Sequence, residues 1–453
     1  MFGELLIPTD AYYGIQTLRT CENLSFSGRF LSQYSVYIQS LALVKKAAVQ
    51  ANHETGELDA RRAGLIEAAC DQLIAGNHTK HFPVDVLHGG GGIGVNMNLN
   101  EVIANLSNIS AGGKPGDYEP VDPIEHVNLS QSTSDVCHTA IRMALVSIWE
   151  GLKQELDKLY AQMKAKEAEL GATITIARTC MQDGMAISYG DTFGGYAALV
   201  ERRSTALAGA FHRLRQINLG ATVVGSGHGA SAAYREVIIK KLNLVTGENF
   251  ELRSNLYDAA QNPDDLAEVS AQLALLAASL LKVAKDFRLL SSGPEAGLAE
   301  LILPAVQAGS SFFPGKVNPV VAETLIQCCF QVLGCDRTVQ AVVEHGELNL
   351  NVWEAVAGIN ILEAVEMLTK AICQFTELCL RGAMVNTERC KTYSESMVPR
   401  MVSLKEKYGY AAVSHGVKEA ARQGIDLQTW LQQGGDLFGT SSSEMGKGMA
   451  GDN

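Results

Sequence analysis

The densest chemistry in the chain lies at Gly309-Ser310-Ser311-Phe312-Phe313-Pro314-Gly315-Lys316-Val317-Asn318-Pro319. Glycines and prolines there frame two hydroxyls, one ammonium and one amide. A loop of that kind can carry hydroxyls and a cation to a dianion and withdraw afterwards. The competing reading is a plain connection between helices. Ser130-Gln131-Ser132-Thr133-Ser134-Asp135 is a second cluster. It reads either as a helix cap or as a carboxylate cradle built on a helix start. A third segment, His88 to Asn98, holds four consecutive glycines, Gly89 to Gly92. Glycines let backbone N–H groups approach an anion. No P-loop Gly-Lys-Ser/Thr follows and no clear strand precedes it, so taken alone the segment favours a tight turn between helices. The fourth is Arg178-Thr179-Cys180-Met181-Gln182-Asp183. No base is paired with Cys180 in the sequence, which favours a buried structural thiol over a nucleophile.

Long helices must position these segments. Of eleven prolines, none lies between Pro123 and Pro263 or between Pro319 and Pro399. Proline is costly inside a helix, so those stretches predict long helices. Leu145, Ile148, Leu152, Leu156, Leu159 and Met163 fall at three- and four-residue spacing, and Gly171 is the expected stop. Further helices are expected from Asp265 to about Leu290 and from about Val320 to Val343. Such lengths pack side by side in a bundle, often across subunits. The last sixty or so residues predict two short helices and a Gly/Ser-rich tail from Gly434.

Bulk composition narrows the partners. The chain has 453 residues, 47% hydrophobic and 19% charged, with a net charge of -12. That is globular composition with ample core material. The acidic balance argues against nucleic acid, while a few local cations suffice for a small anion. The ten cysteines form no C-x-x-C and read as reduced thiols of a cytoplasmic protein. No signal peptide is visible, and no membrane span is expected. The run Leu266 to Val283 comes closest but carries Glu268, Ser270, Gln272, Ser279 and Lys282. No His/Asp/Glu spacing reads as a metal site.

Taken together, the four segments resemble the aspartase/fumarase superfamily, on its aspartase side. Its Gly-Ser-Ser-x-Met-Pro-x-Lys-x-Asn loop is matched by Gly309 to Asn318, with Phe313 in place of Met. The likeness extends through Asp10–Gly14, Asn96-Met97-Asn98, Asn100-Glu101-Val102, Asn218–Thr222 and Leu348–Val352, covering about Phe2 to Thr392. The resemblance implies a mostly α, three-domain subunit with a central long-helix bundle, divided near 1–134, 135–389 and 390–453. It implies a cytoplasmic homotetramer with shared active sites, a small dicarboxylate substrate and no cofactor. The reaction implied is loss of an amine or ammonia from aspartate or a derivative, giving fumarate. Ser310 would be the base. Ser132, Thr133 and Ser311 would hold the β-carboxylate, and Lys316, Asn318 and Thr179 the α-carboxylate. A fumarase-like hydro-lyase and a silent oligomeric homologue are the alternatives.

Three positions depart from the pattern. Ile93-Gly94 stand where aspartases carry Thr-Ser, Ser134 stands for Asn, and Cys180 for His or Gln. Glu295 and His138 are lesser changes, for Arg and Pro. The resemblance places the three altered positions around the substrate's amine. A buried ammonium there would lose hydrogen-bond acceptors, so a substrate with a modified or less basic amine stands equally beside plain aspartate.

Overall fold

The computed structural model describes residues 4–439. It is built from helices. α1 (Ile15–Leu24), α2 (Ser35–Glu54), α3 (Ala60–Ile74) and α4 (Ile93–Ser110) lead into α5 (Thr133–Glu169), a helix of 37 residues. A hairpin follows, of β1 (Ile174–Thr179) and β2 (Gln182–Ser188), paired antiparallel with a register shift between Ile176 and Arg178. Next come α6 (Tyr189–Arg213), β3 (Gln216–Ile217), α7 (Ala232–Thr246), β4 (Glu251–Leu252) and α8 (Leu256–Gln261). α9 (Asp264–Leu290), β5 (Leu301–Ile302), α10 (Val320–Glu344), α11 (Glu354–Phe375) and β6 (Met384–Val385) complete the middle of the chain. α12 (Thr387–Ser394), α13 (Met397–Tyr408), α14 (Tyr410–Arg422) and α15 (Leu427–Gln432) end it. β3 pairs with β4 in parallel and β5 with β6 antiparallel.

The three long helices expected from the proline-free stretches are present, with ends within about one residue of the expected ones for α9 and α10. On α5 the predicted stripe is buried at Leu145, Leu152, Leu156, Leu159 and Met163, and half-buried at Ile148. The C-terminal part differs from expectation: three helices, α13, α14 and α15, not two, lie in the last sixty or so residues. They are short: α13, α14 and α15 run 12, 13 and 6 residues. The Gly/Ser-rich tail falls for the most part outside the described residues.

The chain divides into two compact units. The first holds residues 4–158, 200–282 and 324–374. Within it α5, α9 and α11 are joined by a buried ion cluster. Arg142 grips Asp265 with two bonds, at 2.7 and 2.8 Å, and also donates to Glu354. His138 Nδ1 lies 2.9 Å from Glu354. Burial works to raise the Glu354 carboxyl, but Arg142 and His138 overcome it and hold it at about 2.

The second unit holds residues 159–199, 283–323 and 375 onward. Phe287 meets Phe193 and Phe375 edge to face, with centroids 5.9 and 5.1 Å apart. Glu300 is fully buried and accepts from Thr175 (2.6 Å) and Tyr189 (3.2 Å), with Arg178 at 2.6 Å. Val413, Ala420, Leu427, Trp430 and Leu437 form a separate C-terminal core.

α9 alone among the described helices is long and apolar enough to cross a membrane, and half of that stretch is buried inside the fold.

Candidate active site

The residues singled out above fall into three local groups. In the first unit, the hydroxyl cluster opens α5. Asp135 turns back so that one oxygen accepts from Ser132 N at 2.9 Å, closing the first turn as a capping box does. Its other oxygen accepts from Gly220 N and Thr222 N, both at 3.0 Å. The Asn218–Thr222 segment is therefore bound to the start of α5 through one carboxylate. Burial pushes the Asp135 carboxyl up, and the three N–H groups pull the other way without cancelling it. The same side chain thus caps a helix and anchors a loop.

Ser132 and Ser134 hydroxyls lie 3.3 Å apart. Ser134 is buried and donates to Thr222 O at 3.0 Å. Thr133 is held from behind. Asn96 Nδ2 lies 3.1 Å from its hydroxyl and also donates to Asn128 Oδ1 at 3.0 Å. Asn128 Oδ1 further accepts from Lys45 Nζ (3.0 Å) and Asn100 Nδ2 (3.2 Å). Lys45 is completely buried, which lowers its ammonium to about 7. Lys45 and Asn128 carry no signal in the sequence. Lys45 is one of two adjacent lysines in a helix, and only packing decides which is buried.

The glycine segment ends at Gly92, the residue preceding α4. Gly90, Gly91 and Gly92 have φ of 93°, 63° and 89°, a run of left-handed backbone open in practice only to glycine. A β-carbon on Gly92 would also sit 3.1 Å from Cys137 Sγ and 3.7 Å from the Thr133 methyl. The turn therefore lies against the first turns of α5. Ile93, the first residue of α4, is an exposed apolar side chain, 46% accessible.

The second group is the serine loop, in the second unit. Its neck is closed by Gly309 N to Lys316 O at 2.8 Å and by Asn318 Nδ2 to Gly309 O at 2.8 Å. A β-carbon at Gly309 would meet Lys316 O at 2.7 Å, so only glycine permits this approach. Ser310 Oγ accepts from Phe312 N at 3.0 Å and Phe313 N at 2.9 Å. Phe312 and Phe313 are exposed and pack edge to face. Lys316 Nζ lies 5.8 Å above the Phe313 ring.

The third group is the hairpin tip. Thr179 pairs with Gln182 across the turn, and Cys180 and Met181 have φ of 53° and 60°. Cys180 is exposed, against the expectation of a buried thiol. It sits in the turn between two strands, where no neighbouring element covers it. All ten cysteines are free, five of them buried. Among the described residues no group of three or more His, Cys, Asp or Glu is arranged to hold a metal.

A mostly helical subunit with a long-helix bundle, a serine loop and a hydroxyl-rich helix start defines a lyase of the aspartase/fumarase superfamily. Residues 3–334 match the lyase family, and the chain belongs to it. The chain is 39% identical over 426 residues to aspartate ammonia-lyase of Bacillus subtilis (strain 168), covering 94% of this chain and 89% of that one. It is 39% identical over 420 residues to aspartate ammonia-lyase of Helicobacter pylori (strain J99 / ATCC 700824), covering 93% and 90%. A crystal structure of fumarate lyase:delta crystallin from Brucella melitensis bound to cobalt superposes with a TM-score of 0.91 at 39% identity, covering 95% and 94%. A class II fumarase from Schistosoma mansoni superposes with a TM-score of 0.90 at 28% identity, covering 94% and 93%.

Proposed function

We propose that this chain is a carbon–nitrogen lyase that eliminates ammonia or an amine from L-aspartate or an aspartate derivative to give fumarate. The observation that carries the catalytic reading is the pair of N–H groups on Ser310 Oγ, at 3.0 and 2.9 Å. A serine hydroxyl is a feeble base unless its alkoxide is stabilised, and two aimed backbone donors supply that stabilisation. Ser310 then takes the proton from the carbon beside the β-carboxylate. The electron pair moves into that carboxylate, giving an aci-carboxylate dianion. Its collapse forms the carbon–carbon double bond and expels the amine from the α-carbon.

In this reading Ser132, Thr133 and Ser311 bind the β-carboxylate as its charge grows. Asn96 holds the Thr133 hydroxyl in place for that task. Lys316, Asn318 and Thr179 bind the α-carboxylate. Asn318 uses its amide nitrogen on the loop neck, so its contact with substrate comes through reorganisation as the loop closes. No organic cofactor takes part. The active protein is a cytoplasmic homotetramer with sites shared between subunits, and its subunit has three parts, near 1–134, 135–389 and 390–453. The separate C-terminal core supports the last boundary.

The leaving group is the open half of the specificity. Ser134 spends its hydroxyl on Thr222 O, Ile93 is apolar, and Cys180 is a weak hydrogen-bonding group. These favour a substituted or less basic amine over a free ammonium. A screen of L-aspartate and N-substituted aspartates, followed by fumarate absorbance, tests this. Faster turnover of plain L-aspartate than of every substituted analogue would overturn the modified-amine reading while leaving the lyase intact. Turnover of malate above both would move the assignment to a hydro-lyase. Ser310→Ala is expected to lower kcat by at least about 1,000-fold, the scale of losing an essential base. Unchanged turnover would remove Ser310 from the mechanism.

A further inference from the structure

The second unit contains a cavity that the proposed chemistry does not use. It has a volume of about 660 Å³ and lies between β2 of the hairpin and the helices α13 and α15. Met185, Met397, Leu404 and Leu431 supply apolar walls. Three of these, Met397, Leu404 and Leu431, also pack on the C-terminal core, so that side of the cavity is fixed by the fold. Met185, from β2, is 53% exposed and forms the opposite wall.

Arg400 of α13 lines the same cavity. It is half-buried, and its guanidinium has no ion-pair partner among the described residues. A partly desolvated guanidinium beside apolar walls is unfavourable unless an anion meets it. Glu406 lies six residues further along α13, about 9 Å along the helix axis, and is exposed at the rim. Its charge opposes a second anionic group at the far end of a bound molecule.

We propose that this cavity binds a small amphipathic monocarboxylate, with its carboxylate on Arg400 and its aliphatic body against Met397, Leu404, Leu431 and Met185. The volume falls in the ordinary range for small-molecule sites. Charge complementarity selects the occupant. Arg400 favours an anion over a neutral amphiphile, and Glu406 favours one carboxylate over two. The site is therefore distinct in preference from the dicarboxylate site of the serine loop. It stands or falls independently of the proposed reaction.

The probe is hexanoate, titrated calorimetrically into the assembled full-length protein, with hexanol and succinate as controls. The expected result is saturable binding of one hexanoate per chain, with at least tenfold weaker binding of both controls. Arg400→Gln is expected to weaken hexanoate at least tenfold, and Arg400→Lys to restore most of that loss. Leu431→Trp, which puts an indole where the aliphatic body would lie, is expected to weaken binding at least tenfold, with unchanged circular dichroism showing that the C-terminal helices stay folded. Absence of saturable hexanoate binding overturns the proposal, including the case in which another subunit covers the cavity. Equal binding of hexanol, or affinity unmoved by Arg400→Gln, overturns it as well. If succinate binds as tightly as hexanoate, the monocarboxylate assignment is wrong.

Discussion

Lys45 shows how much one side chain can carry that its local sequence does not display. Its Nζ is fully buried, and its ammonium is brought down from 10.5 to about 7 by burial. Between pH 7 and 10.5 the unfolded chain holds a proton that the folded protein lacks. Unfolding free energy contributed by this group therefore rises with pH, by about 1.4 kcal/mol per unit. Below pH 7 both states are protonated and the full cost of the buried charge is present. Lys45→Met keeps the volume and removes the charge, and Asn128 Oδ1 keeps its bonds from Asn96 and Asn100. The variant is expected to be more stable than the parent, with the advantage largest at pH 6.5 and much smaller at pH 9.5. Urea unfolding at the two pH values measures it, and an advantage that grows with pH would contradict the assignment. Arg142 predicts the opposite sign. Arg142→Met would leave buried Asp265 with only Arg253, 3.5 Å away, and Glu354 with only His138, at a cost of about 3 kcal/mol, readable in the same unfolding experiment.

At the scale of elements, the site depends on how helix starts are tied to loops. α5 begins at Thr133, and Asp135 ties that start to Gly220 and Thr222. Thr222 is β-branched and has a φ of 53°, a strained conformation that the two flanking bonds to Asp135 and Ser134 hold in place. Asp135→Ala would leave three N–H groups without their acceptor, at about 1–3 kcal/mol for each that water cannot reach. A loss of about 3 kcal/mol in denaturant unfolding is expected, with a smaller loss in Asp135→Asn, which keeps one acceptor oxygen. Equal losses in the two variants would mean that the oxygen's bonds are not what matters. The hydroxyl cluster was legible as a helix start from Ser132 to Asp135 alone. The loop it holds was legible only as a stretch of likeness, because its partner lies 85 residues away from Asp135.

Across the whole molecule, the long helices leave apolar side chains uncovered. Leu275 on α9 is 48% exposed and Phe330 on α10 is 51% exposed. A stable tetramer must bury apolar side chains that a single subunit leaves exposed, and these two are candidates on the long helices. The double change Leu275→Glu with Phe330→Glu is expected to break the proposed tetramer into smaller species in sedimentation velocity. Turnover should fall with it, since the proposed sites are shared. A variant that stays tetrameric would place the interface on other faces of the bundle.

The amino-acid sequence by itself determined the long helices, because proline-free stretches with apolar residues every three or four positions have few other ways to bury a stripe. It also determined the serine loop and the family, since Gly309 to Asn318 places its residues within ten positions of one another. Tertiary structure alone decided which polar groups are spent on holding the site together. Ser134 proved to serve Thr222, Asn96 to serve Thr133, and Asn318 to serve the loop neck. It also decided that Cys180 lies exposed and Lys45 buried. One physical reason covers Ser134, Asn96 and Lys45, whose partners lie 88, 37 and 83 residues away. Burial and hydrogen bonding at such positions depend on partners far away in the chain, and no local spacing records which of two neighbouring polar residues will face them.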